Sequence, residues 1–193
     1  MNADPDYFAL FALPRWYAID VERLDAAYRE RARRVHPDRH TQHSAAVQVE
    51  ALTAATELNT AYRTLKDPVL RASHLLALRG VDPGQASPTP ALLMRQMSWH
   101  EALDAARQDG DGEALGHLGR QLRAQLRACE DRLATELNST NSYRDIRFDR
   151  AKPESVKPVN AKLDSACGHL LEFSFLRRLL DAVVDASEEI ATP

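Results

Sequence analysis

Asp20-Val-Glu-Arg-Leu-Asp-Ala-Ala-Tyr-Arg-Glu-Arg-Ala-Arg-Arg-Val35, followed by His36-Pro37-Asp38, is the stretch on which the fold turns. Asp20 is a good helix N-cap. Val21, Leu24, Tyr28 and Val35 recur at helical spacing, with Ala27 and Ala32 between them. Pro37 lacks an N–H and disfavours helical geometry at His36, so the helix cannot pass it. Beyond a polar stretch, Ser44 to Lys66 repeats the helical pattern with Val47, Leu52, Ala55, Leu58, Ala61, Tyr62 and Leu65. The tripeptide therefore falls at the turn of an antiparallel helix pair. Arg23, Arg29, Arg33 and Arg34 are left on the outer face of the first helix, while Arg31 falls on its apolar stripe and can snorkel.

The rest of the chain extends this helical reading. Upstream, Asp6 to Leu13 forms a short aromatic helix stopped by Pro14. Downstream, Asp67-Pro68 restarts the chain into a helix over 69–79, closed by Gly80 at a C′ position. Residues 81–90 are rich in Pro, Gly and Ser and are assigned as a linker. Ala91–Gln108, Glu113–Leu137 and Val159–Ala186 then form three more helices, with a turn at 109–112 and a polar loop over 138–158. Residues 187–193 form a frayed end. No segment alternates with period two. The expected architecture is a helical hairpin with short flanking helices in residues 1–80, a linker at 81–90, and a three-helix bundle in 91–193.

Composition excludes several function classes. The 193 residues are 44% hydrophobic and 27% charged, an ordinary globular balance. A net charge of −3 does not indicate general affinity for nucleic acid. No run of ~18–20 uncharged apolar residues predicts a membrane span. Met1-Asn-Ala-Asp-Pro-Asp-Tyr7 has neither the basic nor the apolar region of a secretory signal. Cys129 and Cys167 each fall within a helical pattern and read as small packed hydrophobes in a reducing compartment. No nucleotide-binding loop or nucleophile motif is present, so no autonomous catalysis is expected.

Three separated signatures resemble a known family. Residues 1–76 resemble a J-domain: a short helix, an arginine-bearing helix, His36-Pro37-Asp38, then a long helix with Asn59-Thr-Ala-Tyr62. Nearly the whole chain resembles the HscB-type J-domain co-chaperones of iron–sulfur cluster assembly. The matching stretches are Tyr7-Phe-Ala-Leu-Phe-Ala-Leu-Pro14, Leu65-Lys-Asp-Pro-Val-Leu-Arg-Ala-Ser-His-Leu-Leu76, and Leu92-Leu-Met-Arg-Gln-Met97 leading to Glu101. The chain departs from the family pattern at Arg31, where an apolar residue is expected. It departs again at Ser98, where an acid is common, and in a longer 138–158 connection. It lacks the N-terminal cysteine zinc segment of some eukaryotic relatives, which argues for a bacterial-type, cytoplasmic protein.

The resemblance implies an all-α, L-shaped protein with an N-terminal J-domain and a C-terminal three-helix bundle. It implies no cofactor, no membrane and no enzymatic activity of its own. Its partners would be a DnaK-class chaperone ATPase of the HscA type and an iron–sulfur scaffold protein of the IscU type. His36, Pro37 and Asp38, with Arg29 and Arg34, would dock the chaperone. Leu93, Met94, Met97, Glu101 and Phe175 would bind the scaffold.

Each assignment has a plainer alternative. His36-Pro37-Asp38 can be a simple turn, and the arginines a solvated face. His36, His40 and His43 with Asp38 can be read as a metal cluster, although nothing completes a ligand set. Leu93, Met94 and Met97 can belong to the bundle core, with Trp99 and Leu103 as the other inward-facing candidates. A general J-domain co-chaperone with a different client is the nearest rival function.

Overall fold

The computed structural model describes residues 5–35, 44–139 and 157–191. These contain seven α-helices: α1 (Tyr7–Leu10), α2 (Val21–Val35), α3 (Ala45–Lys66), α4 (Pro68–Ala77), α5 (Pro90–Gln108), α6 (Gly112–Ser139) and α7 (Lys157–Ala191). One turn of 3-10 helix, Pro83–Gln85, precedes α5. No strand occurs among the described residues. The chain divides into two compact units, Met1–Val81 and Asp82–Pro193.

In the first unit α2 packs on α3, and α3 also receives α1 and α4. Phe8, Phe11, Leu24, Leu58, Leu65, Leu75 and Leu76 are fully or almost fully buried. The stripes differ from the sequence reading at two positions. Val21 and Leu52 are exposed, and Ala51 takes the inward place on α3. The inward line runs Ala51, Leu58, Ala61, Leu65, and Leu52 lies ~100° round the helix from it.

Helix punctuation explains most boundaries. Asp6 accepts from the N–H groups of Phe8 and Ala9, Asp20 from Arg23, and Asp67 from Val69 and Leu70. The α1 helix is shorter than the sequence suggested, because it closes before Pro14. The Leu13 N–H reaches back to the Phe8 carbonyl (2.9 Å) and the Ala12 N–H to that of Ala9 (3.1 Å). This closure needs a left-handed residue at Ala12, whose φ is +52°. Gly80 (φ +78°) closes α4 with the same bond pair, from Val81 and Gly80 to Leu76 and Ala77. Tyr7 donates its N–H to His74 Nε2 at 3.3 Å, and the two rings stack at 4.5 Å, fastening α1 to α4.

The second unit is the expected three-helix bundle. Its α6 and α7 share the larger interface, with α5 laid on both. Leu115, Leu118, Leu122, Cys129, Leu133 and Leu137 of α6 face Leu163, Cys167, Leu170, Phe173, Leu176, Leu179 and Val183 of α7 in the core. The helix α7 continues to Ala191, so residues 187–191 are helical rather than frayed. Residues 140–156, most of the 138–158 connection, lie outside the described residues.

Candidate functional site

The first candidate surface is the end of α2. His36, Pro37 and Asp38 lie outside the described residues, as do His40 and His43. Arg29, Arg33 and Arg34 lie just before them and are exposed, as the sequence indicated. Arg34 pairs with Glu30 one turn back, and both side chains are mostly in water. Arg33 donates to the Arg29 carbonyl at 3.2 Å. Exposed ion pairs of this kind contribute little to stability.

Arg31 behaves as its position requires. Its guanidinium lies 5.8 Å from the centroid of the Phe11 ring, with the stem along apolar surface. It helps line a shallow apolar depression of about 190 Å³ with Leu10, Arg34, Val35, Ala54, Glu57 and Leu58.

A polar cluster that the sequence did not announce holds α2 to α3. Tyr28 and Tyr62 stack at 4.1 Å. Tyr28 donates to Asn59 (2.8 Å), and Tyr62 donates to Asp25 (2.9 Å). Lys66 donates to both Asp25 oxygens at 2.8 and 2.9 Å and to the Tyr62 hydroxyl at 2.8 Å. The hydrogen bond from Lys66, then that from Tyr62, holds the Asp25 carboxyl below the usual carboxylate range. The same contact with Asp25 raises the Lys66 ammonium. The cluster fixes the register of the hairpin and so the spacing of the two helix ends flanking residues 36–43. Asn59 and Tyr62 were legible as a signature; their partners Asp25 and Tyr28 were not.

The second candidate surface is on α5. Leu93, Met94 and Met97 are 45%, 73% and 63% exposed. Leu93, Met97 and Glu101, four residues apart, fall on one line along the helix, with Met94 beside it. Glu101 and Ser98 are also exposed. Leu92, Leu103 and Ala106 supply the inward face. Phe175 does not belong to the exposed strip: it is 8% exposed, stacked on Trp99 at 6.0 Å and met edge-on by His100 at 5.6 Å. An aromatic ring on α7 opposite α5 has more to gain from burial than from water. It packs α7 against Trp99 and His100 of α5.

Beside this packing sits a buried charge. Glu172 of α7 is 5% exposed and meets Arg95 of α5 at 2.8 Å and Arg132 of α6 at 3.6 Å. Arg95 also lies 5.8 Å from the centroid of the Trp99 ring. Three helices thus meet at one carboxylate. The available sequence signal was a glutamate among Leu170, Leu171, Phe173 and Phe175, which names no partner.

Neither cysteine is reactive in form. Both are buried and free. Burial, reinforced by the charge of Glu172, pushes the Cys129 thiol up to about 11, and burial likewise raises Cys167. Among the described residues no group of three His, Cys, Asp or Glu is placed to hold a metal. No helix among them is long and apolar enough to cross a membrane.

Comparison with known proteins follows the two units. Residues 6–74 match the DnaJ domain family, and residues 88–158 match the family described as the HSCB C-terminal oligomerisation domain. A co-chaperone protein HscB homolog of Chromobacterium violaceum is 47% identical over 142 residues, spanning 71% of this chain and 80% of that protein. One from Burkholderia multivorans is 46% identical over 156 residues, spanning 79% and 85%. The solved structure of chaperone HscB from Vibrio cholerae superimposes with a TM-score of 0.77 at 26% identity, covering 96% of this chain and 99% of that one. A helical hairpin carrying a J-domain match, a three-helix bundle carrying an HscB match, and close relatives along most of the length place this chain in the HscB family of J-domain co-chaperones.

Proposed function

We propose that the protein stimulates ATP hydrolysis by a DnaK-class chaperone of the HscA type and delivers to it an iron–sulfur scaffold protein of the IscU type. It acts as an adaptor, and catalysis belongs to the partner. The arginine face of α2, with His36, Pro37 and Asp38 immediately after it, docks the chaperone. Asp38 can accept charge-assisted bonds from a partner arginine, and Arg29 and Arg34 steer the encounter. The strip of Leu93, Met94 and Met97, with Glu101 at its end, receives the scaffold.

The observation that carries this reading is the strip itself. Three large apolar side chains lie together in water on a helix whose other face is fully packed. Methionine adapts to partner surfaces better than most residues. A core role for these three is incompatible with their exposure. By favouring the hydrolysis-competent state of the chaperone, an adaptor holding both partners raises its rate without contributing a reacting group.

The deciding measurement is the steady-state ATPase of the cognate chaperone with this protein and the scaffold added singly and together. Stimulation by this protein, increased further when scaffold is present, is the expected result. Stimulation that the scaffold leaves unchanged would retain the chaperone assignment and reassign the client. No stimulation under either condition would remove both.

A further inference from the structure

We infer that the outward face of α3, in the first unit, is a docking stripe for an amphipathic helix that carries basic residues along its edge. Val49, Leu52, Thr53, Thr56 and Thr60 are all exposed, and they follow one another at steps of three, one, three and four residues. Those steps keep the five within about 100° of arc over roughly 16 Å of helix. Val49 is 64% exposed and Leu52 59%. The stripe lies on the far side of α3 from the inward line of Ala51, Leu58, Ala61 and Leu65. Arg63, also exposed, closes it one turn after Thr60.

The three threonines belong to this stripe as apolar groups. Thr53 donates its hydroxyl to the Val49 carbonyl at 2.9 Å, Thr56 to that of Leu52 at 2.9 Å, and Thr60 to that of Thr56 at 3.0 Å. Each hydroxyl proton is turned back onto its own helix, so the γ-methyl is what the side chain offers outward. A face that reads as mixed in sequence therefore presents aliphatic carbon from end to end. Covering it breaks none of these three bonds and strands no donor.

The edges decide what covers it. Glu50 and Glu57, seven residues apart, are exposed along one side, and neither is in an ion pair among the described residues. In heptad terms Thr53 and Thr60 take position a, Val49 and Thr56 take d, and Glu50 and Glu57 take e. Leu52 and Asn59 take g. An aliphatic seam at a and d, with charge at e, is the pattern by which one helix receives another, and the charge selects the partner. Two unpaired carboxylates call for lysine or arginine on the edge of the incoming helix. A second copy of α3 does not supply them. Laid antiparallel it sets glutamate against glutamate; laid parallel it leaves the acids opposite Leu52 and Asn59.

The test is binding of a fluorescein-labelled amphipathic peptide to the full chain. The peptide is about three heptads long, with leucine at a and d and lysine at e and g. Binding that loosens severalfold between 50 and 500 mM NaCl is expected. Val49→Gln with Leu52→Gln should weaken it at least tenfold, as should Glu50→Lys with Glu57→Lys, each with wild-type circular dichroism. The threonines separate methyl from hydroxyl. Thr53→Val, Thr56→Val and Thr60→Val together should bind as tightly as wild type or more so. Thr53→Ser, Thr56→Ser and Thr60→Ser together should bind more weakly, since serine keeps the hydroxyl and loses the methyl. Leu93→Ala/Met94→Ala/Met97→Ala should bind as wild type does, which separates this face from the strip on α5. Absence of binding, binding indifferent to the α3 substitutions, or a serine variant equal to wild type overturns the inference. Equal binding of a peptide with glutamate in place of lysine does so too. Self-association of the wild type that Leu52→Gln abolishes would also overturn it, by giving the stripe to a second copy. The chaperone ATPase assay reads independently of all these outcomes.

Discussion

Glu172 on α7 and Arg95 on α5 form an ion pair of 2.8 Å in which the carboxylate is 5% exposed and the guanidinium about half exposed. The asymmetry decides what each is for. Arg95 and Arg132 can retreat into water; Glu172 cannot.

Removing the carboxylate should therefore cost less than removing its partners. Glu172→Met leaves two arginines that solvate themselves, and is expected to cost at most ~1–2 kcal/mol. Arg95→Met with Arg132→Met strands a buried charge, and is expected to cost ~3 kcal/mol or more. Denaturant melts of the three proteins check the order. Equal losses would mean that the glutamate reaches water more easily than its burial indicates.

His36→Gln and Asp38→Asn are each expected to abolish chaperone stimulation while leaving helical circular dichroism unchanged. Arg29→Glu with Arg34→Glu should weaken coupling without altering the fold, since both side chains are exposed. Wild-type coupling should fall as salt rises, because exposed charges are screened over ~8 Å at physiological ionic strength. Coupling indifferent to salt and to both arginines would return that face to plain solvation.

On α5 and α7 the same chemical truncation should give opposite results. Leu93→Ala, Met94→Ala and Met97→Ala together should lower scaffold affinity at least tenfold, with less than ~1 kcal/mol lost from the fold. Phe175→Ala should instead cost ~3–5 kcal/mol, because it opens a cavity under Trp99 and His100. Calorimetry beside a thermal melt separates the two. An early melt of the triple variant would place those side chains in the core.

Ala12 adopts φ +52° where glycine would be at ease. Ala12→Gly is expected to stabilise the first unit by ~0.5–1 kcal/mol, and Gly80→Ala at φ +78° to destabilise it by ~1 kcal/mol. Both are read by urea unfolding. An Ala12→Gly variant weaker than wild type would show that the Cβ packs more than it strains.

The Cys129 thiol, at about 11, is fully protonated at neutral pH. Neither cysteine should react with a thiol reagent at pH 8 until the chain unfolds, at which point both should. The sign for stability follows from the raised value. The unfolded thiol ionises first as pH climbs above its ordinary 9.0, so the fold weakens between there and about 11. Rapid labelling of native protein would contradict the burial.

Sequence reading went furthest where the chain carries punctuation. Asp20, Asp67-Pro68, Gly80 and the glycines at 110 and 112 each mark a boundary that the structure keeps, and the helical steps of α6 and α7 gave their inward faces. It failed where a small residue does the work of a large one. Ala51 faces in and Leu52 faces out, and hydrophobicity alone ranks them the other way. Ala12 carries no sign of a left-handed turn. For the candidate surfaces, Leu93, Met94 and Met97 could be named but not assigned a face until packing was known. Phe175 shared their chemistry and proved to be buried against Trp99 and His100. The partners of Glu172 come from two other helices, a relation that no local spacing encodes.

The bond from the Tyr7 N–H to the His74 ring has a consequence for how the chain is made. Its ends are 67 residues apart. On a ribosome adding ~5–20 residues per second, α1 waits roughly 3–13 s before its clasp exists. Throughout that interval Phe8, buried in the finished unit, lacks the His74 ring that stacks on it at 5.9 Å. The first helix synthesised can pack on α3 earlier, but its bond to α4 must wait. A nascent chain halted shortly before His74 would therefore carry the arginine-bearing α2 on a unit whose bond between α1 and α4 has not yet formed.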